Sequence, residues 1–233
     1  MSIVHSHLVR VPRRVDPASR VPGQHARTTV LRLRMRTLVT LGVLAVLTTV
    51  LGRAFGLHSV LFIASELALL VTMFAVSRYV LPLVDRHDRG ATGEEQVGSL
   101  LEGLREEGWR VIHDASFGHG NIDHIALGPG GLFTIETKSH PGPVRVRAIH
   151  GAILRQAQEE RETLEGVTGE RVEALLVFSR AWVDKPLARR RGVRVIPARM
   201  LPRYLGRRPG ALAPEQVDGA HSRIVAALGA SRR

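Results

Sequence analysis

The chain has 233 residues, of which 33 are Lys or Arg and 21 are Asp or Glu, so its net charge is +12. It contains no cysteine, which excludes a disulfide-stapled secreted module, a zinc finger built on thiolates and a cysteine nucleophile. Hydrophobic residues make up 44% of the chain but aromatic residues only 4%, and the aliphatic side chains are concentrated in one stretch, which is not typical of a soluble single-domain protein.

The first 36 residues are strongly basic. Residues 1–36 contain eight arginines against a single acid, Asp16, and three prolines interrupt any helix. A segment with this charge balance cannot bury a core of its own. We therefore predict that residues 1–36 form a disordered basic tail.

Residues 37–84 have the composition of a membrane segment. Few of their side chains can ionise: Arg53, His58, Glu66 and Arg78. We predict two transmembrane helices, about 37–55 and 59–80, because about 17–25 apolar residues are needed to cross a bilayer. A helical hairpin buried in the core of a soluble protein is the alternative.

The arginines predict the orientation of these two spans. Eight arginines precede the first span, only Arg53 lies in the turn, and Arg86 and Arg89 follow the second span. The positive-inside rule then puts both termini in the cytoplasm of a multi-pass membrane protein, with the basic tail near anionic lipid. A basic region of 36 residues before the first apolar run disfavours a cleavable signal peptide. Glu66 is expected to pack between helices or subunits, and the oligomeric state stays open.

Residues 85–233 have the alternating periods and turn signals of a soluble domain. The predicted elements in chain order are a helix at 91–107, strands at 109–113, 122–127 and 132–137, a helix at 150–164, strands at 174–179 and 193–196, and a helix at 214–228. This order predicts an α/β fold in which a mixed β-sheet is flanked by helices.

The second and third predicted strands form a hairpin around Pro129-Gly130. That turn places Asp123 opposite Glu136, with Cβ atoms about 5 Å apart, and strand alternation puts Lys138 on the same face as Glu136. Two neighbouring carboxylates repel unless a cation lies between them, and their hard oxygens suit Mg²⁺ or Mn²⁺. With an ammonium beside the ion, these groups suffice for metal-assisted phosphodiester hydrolysis. A cross-strand ion pair on a solvated face accounts for the same spacing, and both interpretations remain open at this point.

Several segments carry a resemblance to a known family. The most specific are Gly120-Asn121-Ile122-Asp123-His124-Ile125 and Ile135-Glu136-Thr137-Lys138-Ser139 at their mutual spacing, accompanied by Gly93-Glu94, Gly108-Trp109 and Gly128-Pro129-Gly130-Gly131. With these segments, residues 89–197 resemble the nuclease-related domain (NERD) family, a branch of the PD-(D/E)XK nuclease superfamily.

The resemblance implies a metal-dependent nuclease acting on DNA or RNA, in a domain over about 85–200 that is followed by a basic segment and helix at 201–233. It implies a catalytic set of Asp123, Glu136 and Lys138, with Glu94 as a further metal-side acid and Gln156 near the site on the second helix. In some relatives a tyrosine follows that glutamine by four positions, whereas here the residue is Glu160. A nuclease-like fold can also serve without catalysis, so a membrane-tethered module that binds nucleic acid or a protein is the alternative.

Two further groups of residues are candidates for binding. Between Lys185 and Pro214 lie nine cations and no acid, with Trp182 and Tyr204 at its flanks able to stack on bases. The predicted nucleic-acid contacts in this stretch are Arg189, Arg190, Arg191 and Arg194, and attraction to anionic lipid is the competing interpretation. Five histidines in the same domain are predicted to lie on the surface or beside the site, because their spacing does not match a zinc site: His113, His119, His124, His140 and His150.

Overall fold

The computed structural model of the chain describes residues 24–56, 59–118, 120–208 and 210–231. Most of the predicted basic tail therefore lies outside the described residues. Where its last part is described, the prediction of disorder is wrong, because helix α1 (Gln24–Phe55) begins well before the first predicted span. No proline follows Pro22 in this part of the chain, so nothing interrupts the helix.

The second predicted span continues into the soluble domain without a break. Helix α2 (Val60–Ala75) leads through a π-helical segment (Val76–Val80) into α3 (Leu81–Glu102). Pro82 explains the π segment, because its ring cannot donate to the carbonyl four residues back and would collide with it. The backbone N–H of Leu81 accordingly donates to the carbonyl of Val76, five residues back. The helix predicted at 91–107 is the end of this long helix, followed by a 3₁₀ segment (Gly103–Glu107).

Helix α1 packs against both α2 and α3. Its N-terminal part is held to α3 by two ion pairs, Arg27 with Glu95 and Arg34 with Asp88. These arginines were predicted to belong to a disordered tail, whereas in the structure they lie on α1 and pair with acids of α3.

Both N-terminal helices are long and apolar enough to cross a membrane, judged by length and composition. None of the residues of α2 is buried, and large apolar side chains such as Leu67 and Phe74 are more than 60% exposed. The hairpin therefore does not bury its apolar surface in a protein core.

The predicted mixed α/β fold is confirmed. Six strands form one sheet: β1 (Arg110–Ser116), β2 (Asn121–Gly128), β3 (Gly131–Lys138), β5 (Val172–Phe178), β7 (Arg189–Arg190) and β8 (Val193–Pro197). Their order in the sheet is β1-β2-β3-β5-β8-β7, in which β1, β2 and β3 are antiparallel neighbours and β5 and β8 continue parallel to β3. A separate pair of short parallel strands consists of β4 (Gly142–Val144) and β6 (Ala181–Val183).

Helices cover both faces of the sheet. One face packs on α3 and on α5 (Leu201–Gly206), and the other packs on α4 (Gly151–Thr168) and α6 (Pro214–Ala230). Leu201 and Leu205 of α5 and Ile224 of α6 are at most 1% exposed. The boundary predicted at residue 200 is therefore not a boundary of packing, because the C-terminal helices supply part of the core.

The hairpin of β2 and β3 has the predicted register. The turn is closed by the pair Gly128 and Gly131, and the last pair of the ladder is His124 with Ile135. The next position along the two strands brings Asp123 alongside Glu136, just beyond the end of the β2–β3 ladder.

Candidate active site

The predicted site residues gather at the carboxyl end of β3. Glu136 and Lys138 alternate with Ile135, which packs toward α3, so both face the side covered by α4. Lys138 makes an ion pair with Oε1 of Glu136, and the Glu136 side chain is only 2% exposed. The structure thus places the predicted lysine and glutamate in direct contact.

Gln156 reaches the site from α4. Its Oε1 lies 3.5 Å from the Lys138 Nζ, and its Nε2 donates to Oε1 of Glu160 at 3.0 Å. Gln156 therefore links the lysine to a second acid on its own helix.

Asp123 is held at the point where the β2–β3 ladder ends. The backbone N–H of Thr137 donates to Oδ2 of Asp123 at 2.8 Å. The Asp123 carboxylate thus accepts a hydrogen bond from a β3 amide just beyond the last backbone pair of the β2–β3 ladder. This bond orients Asp123 beside Glu136.

The acids at this site raise one another's pKa. Burial and the charge of Glu136 raise the pKa of Glu94 to about 7, with a smaller contribution from Asp114. Burial, then the charges of Glu136 and Glu94, raise the pKa of Asp123 well above its ordinary value. Burial alone would lower the pKa of Lys138, but the charge and hydrogen bond of Glu136 outweigh it and raise that pKa. The site is a crowded group of acids with one firmly protonated lysine.

Glu160 belongs to this group although the sequence analysis gave it no role. Burial, the charge of Glu136 and a hydrogen bond to Glu136 raise the pKa of Glu160 to about 10, so this acid is protonated at neutral pH. A signal existed in the sequence: Glu160 lies between Ala157 and Leu164 on the stripe of α4 that faces the core, where a charged residue is rare.

Asp114 is the second acid that the sequence analysis missed. It is 6% exposed and has a φ of 52°, which is uncommon for a residue other than glycine. The β1–β2 ladder skips it, pairing His113 with His124 and Ala115 with Ile122, so Asp114 lies opposite Asp123. Its carboxylate accepts a hydrogen bond from the side-chain amide of Asn121. No periodicity in the sequence announces a single left-handed residue within a strand.

The donor atoms of this site, though not their present spacing, suit a divalent cation. The charges of Glu136 and Glu94 raise the pKa of Asp123, and the charge of Glu136 raises that of Glu94, so these three acids repel one another. Hard carboxylate oxygens that repel in this way are ligands that Mg²⁺ or Mn²⁺ would stabilise. As the side chains stand, no group of three or more Asp, Glu or His residues within the described ranges is spaced to hold an ion.

Two of the five histidines predicted to lie on the surface or beside the site are buried. His113 and His124 are 2% and 0% exposed, and their Nδ1 atoms lie 2.8 Å apart. Nε2 of His113 lies 2.9 Å from Oε1 of Glu102 on α3. Burial lowers the pKa of both histidines, against the raising effect of Glu102 on His113. His140 and His150 are exposed as predicted, and His119 lies outside the described residues.

Three of the four arginines predicted to contact nucleic acid, Arg189, Arg190 and Arg194, already have hydrogen-bond partners for their side chains. Arg189, Arg194 and Arg208 all pair with Glu173, near the beginning of β5, whereas Lys138 is level with Phe178 at its end. Tyr204 also donates to Glu173, at 3.0 Å. Arg190 donates to the carbonyl of Val146 at 2.6 Å, and the carbonyl of Arg191 accepts from Gln158. Their contact with nucleic acid stays a prediction.

The domain is thus a mixed sheet with acids and one lysine at the end of its third strand. In the comparison with protein families, residues 89–179 match the family model described as NERD, nuclease-related domain. The chain therefore contains a nuclease-related domain, as the sequence motifs predict.

Comparisons with individual proteins add little. A solved structure, the crystal structure of a repair endonuclease from Pyrococcus abyssi, is similar with 21% sequence identity and a TM-score of 0.29, over 52% of this chain and 46% of that chain. This chain thus spans less than half the length of the structure it matches. No curated protein matches the chain.

Proposed function

We propose that this chain is a membrane-anchored, cytoplasm-facing nuclease that hydrolyses phosphodiester bonds of DNA or RNA with the help of Mg²⁺ or Mn²⁺. The observation that carries the proposal is the convergence of Asp123, Glu136 and Lys138 at one strand end of a nuclease-related domain. Glu94 adds a third acid to this point from the neighbouring helix.

Asp123, Glu136 and Glu94 would hold the ion, since their oxygens are the hard ligands that such cations prefer. When bound, the ion supplies a water of lowered pKa and offsets charge that develops on the phosphate oxygens. Lys138 stays protonated because the charge of Glu136 raises its pKa, so it acts as a hydrogen-bond donor to water or phosphate and not as a base. Gln156 and the N–H of Thr137 orient Lys138 and Asp123.

The substitution Asp123→Asn tests the catalytic part of this proposal. We expect it to weaken Mn²⁺ binding and to abolish cleavage of labelled DNA and RNA by the full chain in detergent micelles. We also expect the melting temperature without metal to stay the same or rise, because one of several repelling carboxylates is removed. Asp85→Asn is the control, since Asp85 is exposed on α3. Unfolding of the metal-free Asp123→Asn protein would instead indicate a structural carboxylate in a binding module.

The exposed apolar surface of α1 and α2 supports the membrane anchor. A contiguous surface of this kind is covered by lipid or by another protein, and it is flanked by Arg53 in the turn and by Arg78 with Tyr79 at the other end. The guanidinium of Arg78 lies 5.8 Å from the centre of the Tyr79 ring. Cations and tyrosines of this type anchor helix ends at the headgroup level.

Reporter fusions test the orientation. A reporter inserted after Gly56 should lie outside the cytoplasm, whereas reporters at both termini should lie inside. Reporters on one side at all three positions would refute the hairpin. With both termini inside, Glu94 would lie about 24 Å along the helix from Arg78, because 16 residues separate them at 1.5 Å per residue.

A further inference from the structure

Trp182 is unusually exposed for a residue of the folded domain. Its exposed fraction is 57%, and beyond residue 83 it is the only large hydrophobic residue so exposed in the part of the chain that the structure describes. Trp182 lies in β6 between Ala181 and Val183, whose side chains are buried, so its ring points outward. In the β4–β6 pair it is the partner of Pro143, which is exposed as well. A tryptophan in this position gains nothing from the core.

Four exposed cations lie just outside the ends of β4 and β6. We call the Trp182 surface the set of Arg145, Arg147, Arg180, Trp182 and Lys185. Its four cations are exposed and make no side-chain hydrogen bond or ion pair with the described residues. The nearby acid Asp184 accepts the backbone N–H of Val146 at 2.9 Å. This surface differs in that respect from Arg189, Arg194 and Arg208, which share the carboxylate of Glu173.

The Trp182 surface meets the candidate active site at Arg145. Arg145 lines two neighbouring depressions, one of about 450 Å³ that Lys138 also lines and one of about 510 Å³ that Arg147 and Lys185 also line. The backbone N–H of Ser179 donates to the carbonyl of Lys138 at 3.2 Å, and Arg180 is the next residue. A phosphate chain that leaves Lys138 therefore meets cations along this direction.

We infer that the Trp182 surface binds an unpaired strand of the nucleic-acid substrate, with a base stacked on Trp182 and phosphates paired with Arg145, Arg147, Arg180 and Lys185. The inference rests on the proposed function and names its substrate more closely, as nucleic acid with a single-stranded segment at the site. A base offers its face to a side chain only when it is unpaired, and aromatic stacking next to cations is how proteins bind single strands without sequence preference.

Binding of a labelled strand by the full chain in detergent micelles, with a chelator present to prevent cleavage, tests this inference. The probes are an oligothymidine strand of about 12 nucleotides, within the range of known single-strand sites, and a duplex of the same length. We expect tighter binding of the single strand, and Trp182→Ala should weaken it about tenfold, whereas Trp182→Phe keeps a ring and most of the affinity. The strand should quench the tryptophan emission of the protein. This quenching reports on Trp182, because the other tryptophan, Trp109, is 4% exposed and cannot contact the strand.

The salt dependence of binding separates these cations from ordinary surface charge. Lys185→Gln and Arg147→Gln should each lower the slope of log affinity against log salt by about 0.7, the value for one phosphate contact on a single strand. Arg207→Gln is the control, because Arg207 is an exposed arginine at the end of α5, near the β2–β3 turn and far from Lys138. It should leave affinity and slope unchanged.

The inference would be overturned if Trp182→Ala and the unaltered protein bound the strand equally well, or if strand and duplex bound with equal affinity. The same variants are also tested for binding to phosphatidylglycerol vesicles. A loss of vesicle binding with no loss of strand binding would overturn the inference as well. The last result would make the Trp182 surface a membrane contact. The same proteins with Mn²⁺ replacing the chelator keep the two proposals apart. Strand binding that depends on Trp182, without cleavage of any substrate, would contradict the nuclease and leave the binding surface standing.

Discussion

Replacing Gly93 by alanine tests how closely α3 must approach the strand ends that carry the site. Gly93 precedes Glu94 on α3 and faces Ser139 and Ser179, the residues that follow β3 and β5. A Cβ at Gly93 would lie 2.7 Å from Oγ of Ser179 and 2.9 Å from Cβ of Ser139, whereas ordinary contacts begin at 3.4 Å. The serine hydroxyl can rotate away, but the Ser139 Cβ is fixed to the backbone, so the helix or the strand end must move.

The expected magnitude follows from a comparison with Gly90. Gly90 lies one turn earlier in α3, and a Cβ there has no atom within 4 Å, so Gly90→Ala should raise the free energy of unfolding by about 0.5–1 kcal/mol through helix propensity. Gly93→Ala has the same propensity gain but adds an overlap that costs about 1–3 kcal/mol. The two variants should therefore differ by about 1–3 kcal/mol, the cost of the overlap alone.

Urea unfolding of the full chain in mild detergent, followed by the fluorescence of the buried Trp109, measures this difference. A second substitution, Ser139→Gly, removes the fixed Cβ and should restore most of the stability of Gly93→Ala. Cleavage should fall in Gly93→Ala at least about tenfold, since a displacement near 1 Å can cost about 100-fold. Equal stability of Gly90→Ala and Gly93→Ala would show that α3 does not pack against the strand ends as described.

Three other predictions concern single side chains. Lys138→Arg keeps the charge but replaces a compact ammonium by a planar guanidinium, so single-turnover cleavage should slow at least about tenfold, roughly 1.4 kcal/mol; an unchanged rate would remove Lys138 from the mechanism. Arg207→Lys, at an exposed arginine outside the Trp182 surface, is the control and should cut normally. Burial lowers the pKa of His113 in the folded state, so the unfolded chain binds the proton more readily, and stability should fall by up to about 1.4 kcal/mol per pH unit below about pH 6.5. His113→Gln should flatten this pH dependence in thermal unfolding, and a steeper dependence would contradict the reasoning. Burial tends to raise the pKa of Glu173, but hydrogen bonds from Arg189 and Arg194 lower it, so the stabilising effect of Glu173 should be present above about pH 4.3 and be lost below. Glu173→Gln should lower the free energy of unfolding at pH 7 by about 1.5–3 kcal/mol, and a stabilised variant in urea unfolding would contradict the pairing.

The hairpin register and the apolar spans could be predicted from the sequence because each depends on neighbours in the chain. The turn at Pro129-Gly130 sets the pairing of β2 with β3 over a few residues, and that pairing alone brings Asp123 beside Glu136. The family motifs lie in the same short stretch, so the core of the candidate site followed from it.

Other features depend on residues that are far apart in the chain. Arg27 is ordered by Glu95, 68 positions away, and Arg194 is paired by Glu173, so neither a composition nor a charge run reveals which arginines are free. Glu160 became a member of the site because α4 crosses the end of β3, which raises its pKa through Glu136.

The continuity of α2 with α3 is also a tertiary result. Proline inside a helix usually marks a boundary, yet the helix continues through Pro82 by forming the π-helical segment Val76–Val80. Helix α1 packs along the joined helices. Local patterns determine which segments become helices and strands, whereas the partner of a charged or aromatic side chain is decided by long-range packing. For that reason the sequence predicted Asp123, Glu136 and Lys138 together, and only the fold placed Glu160 and Asp114 beside them and joined the Trp182 surface to Lys138.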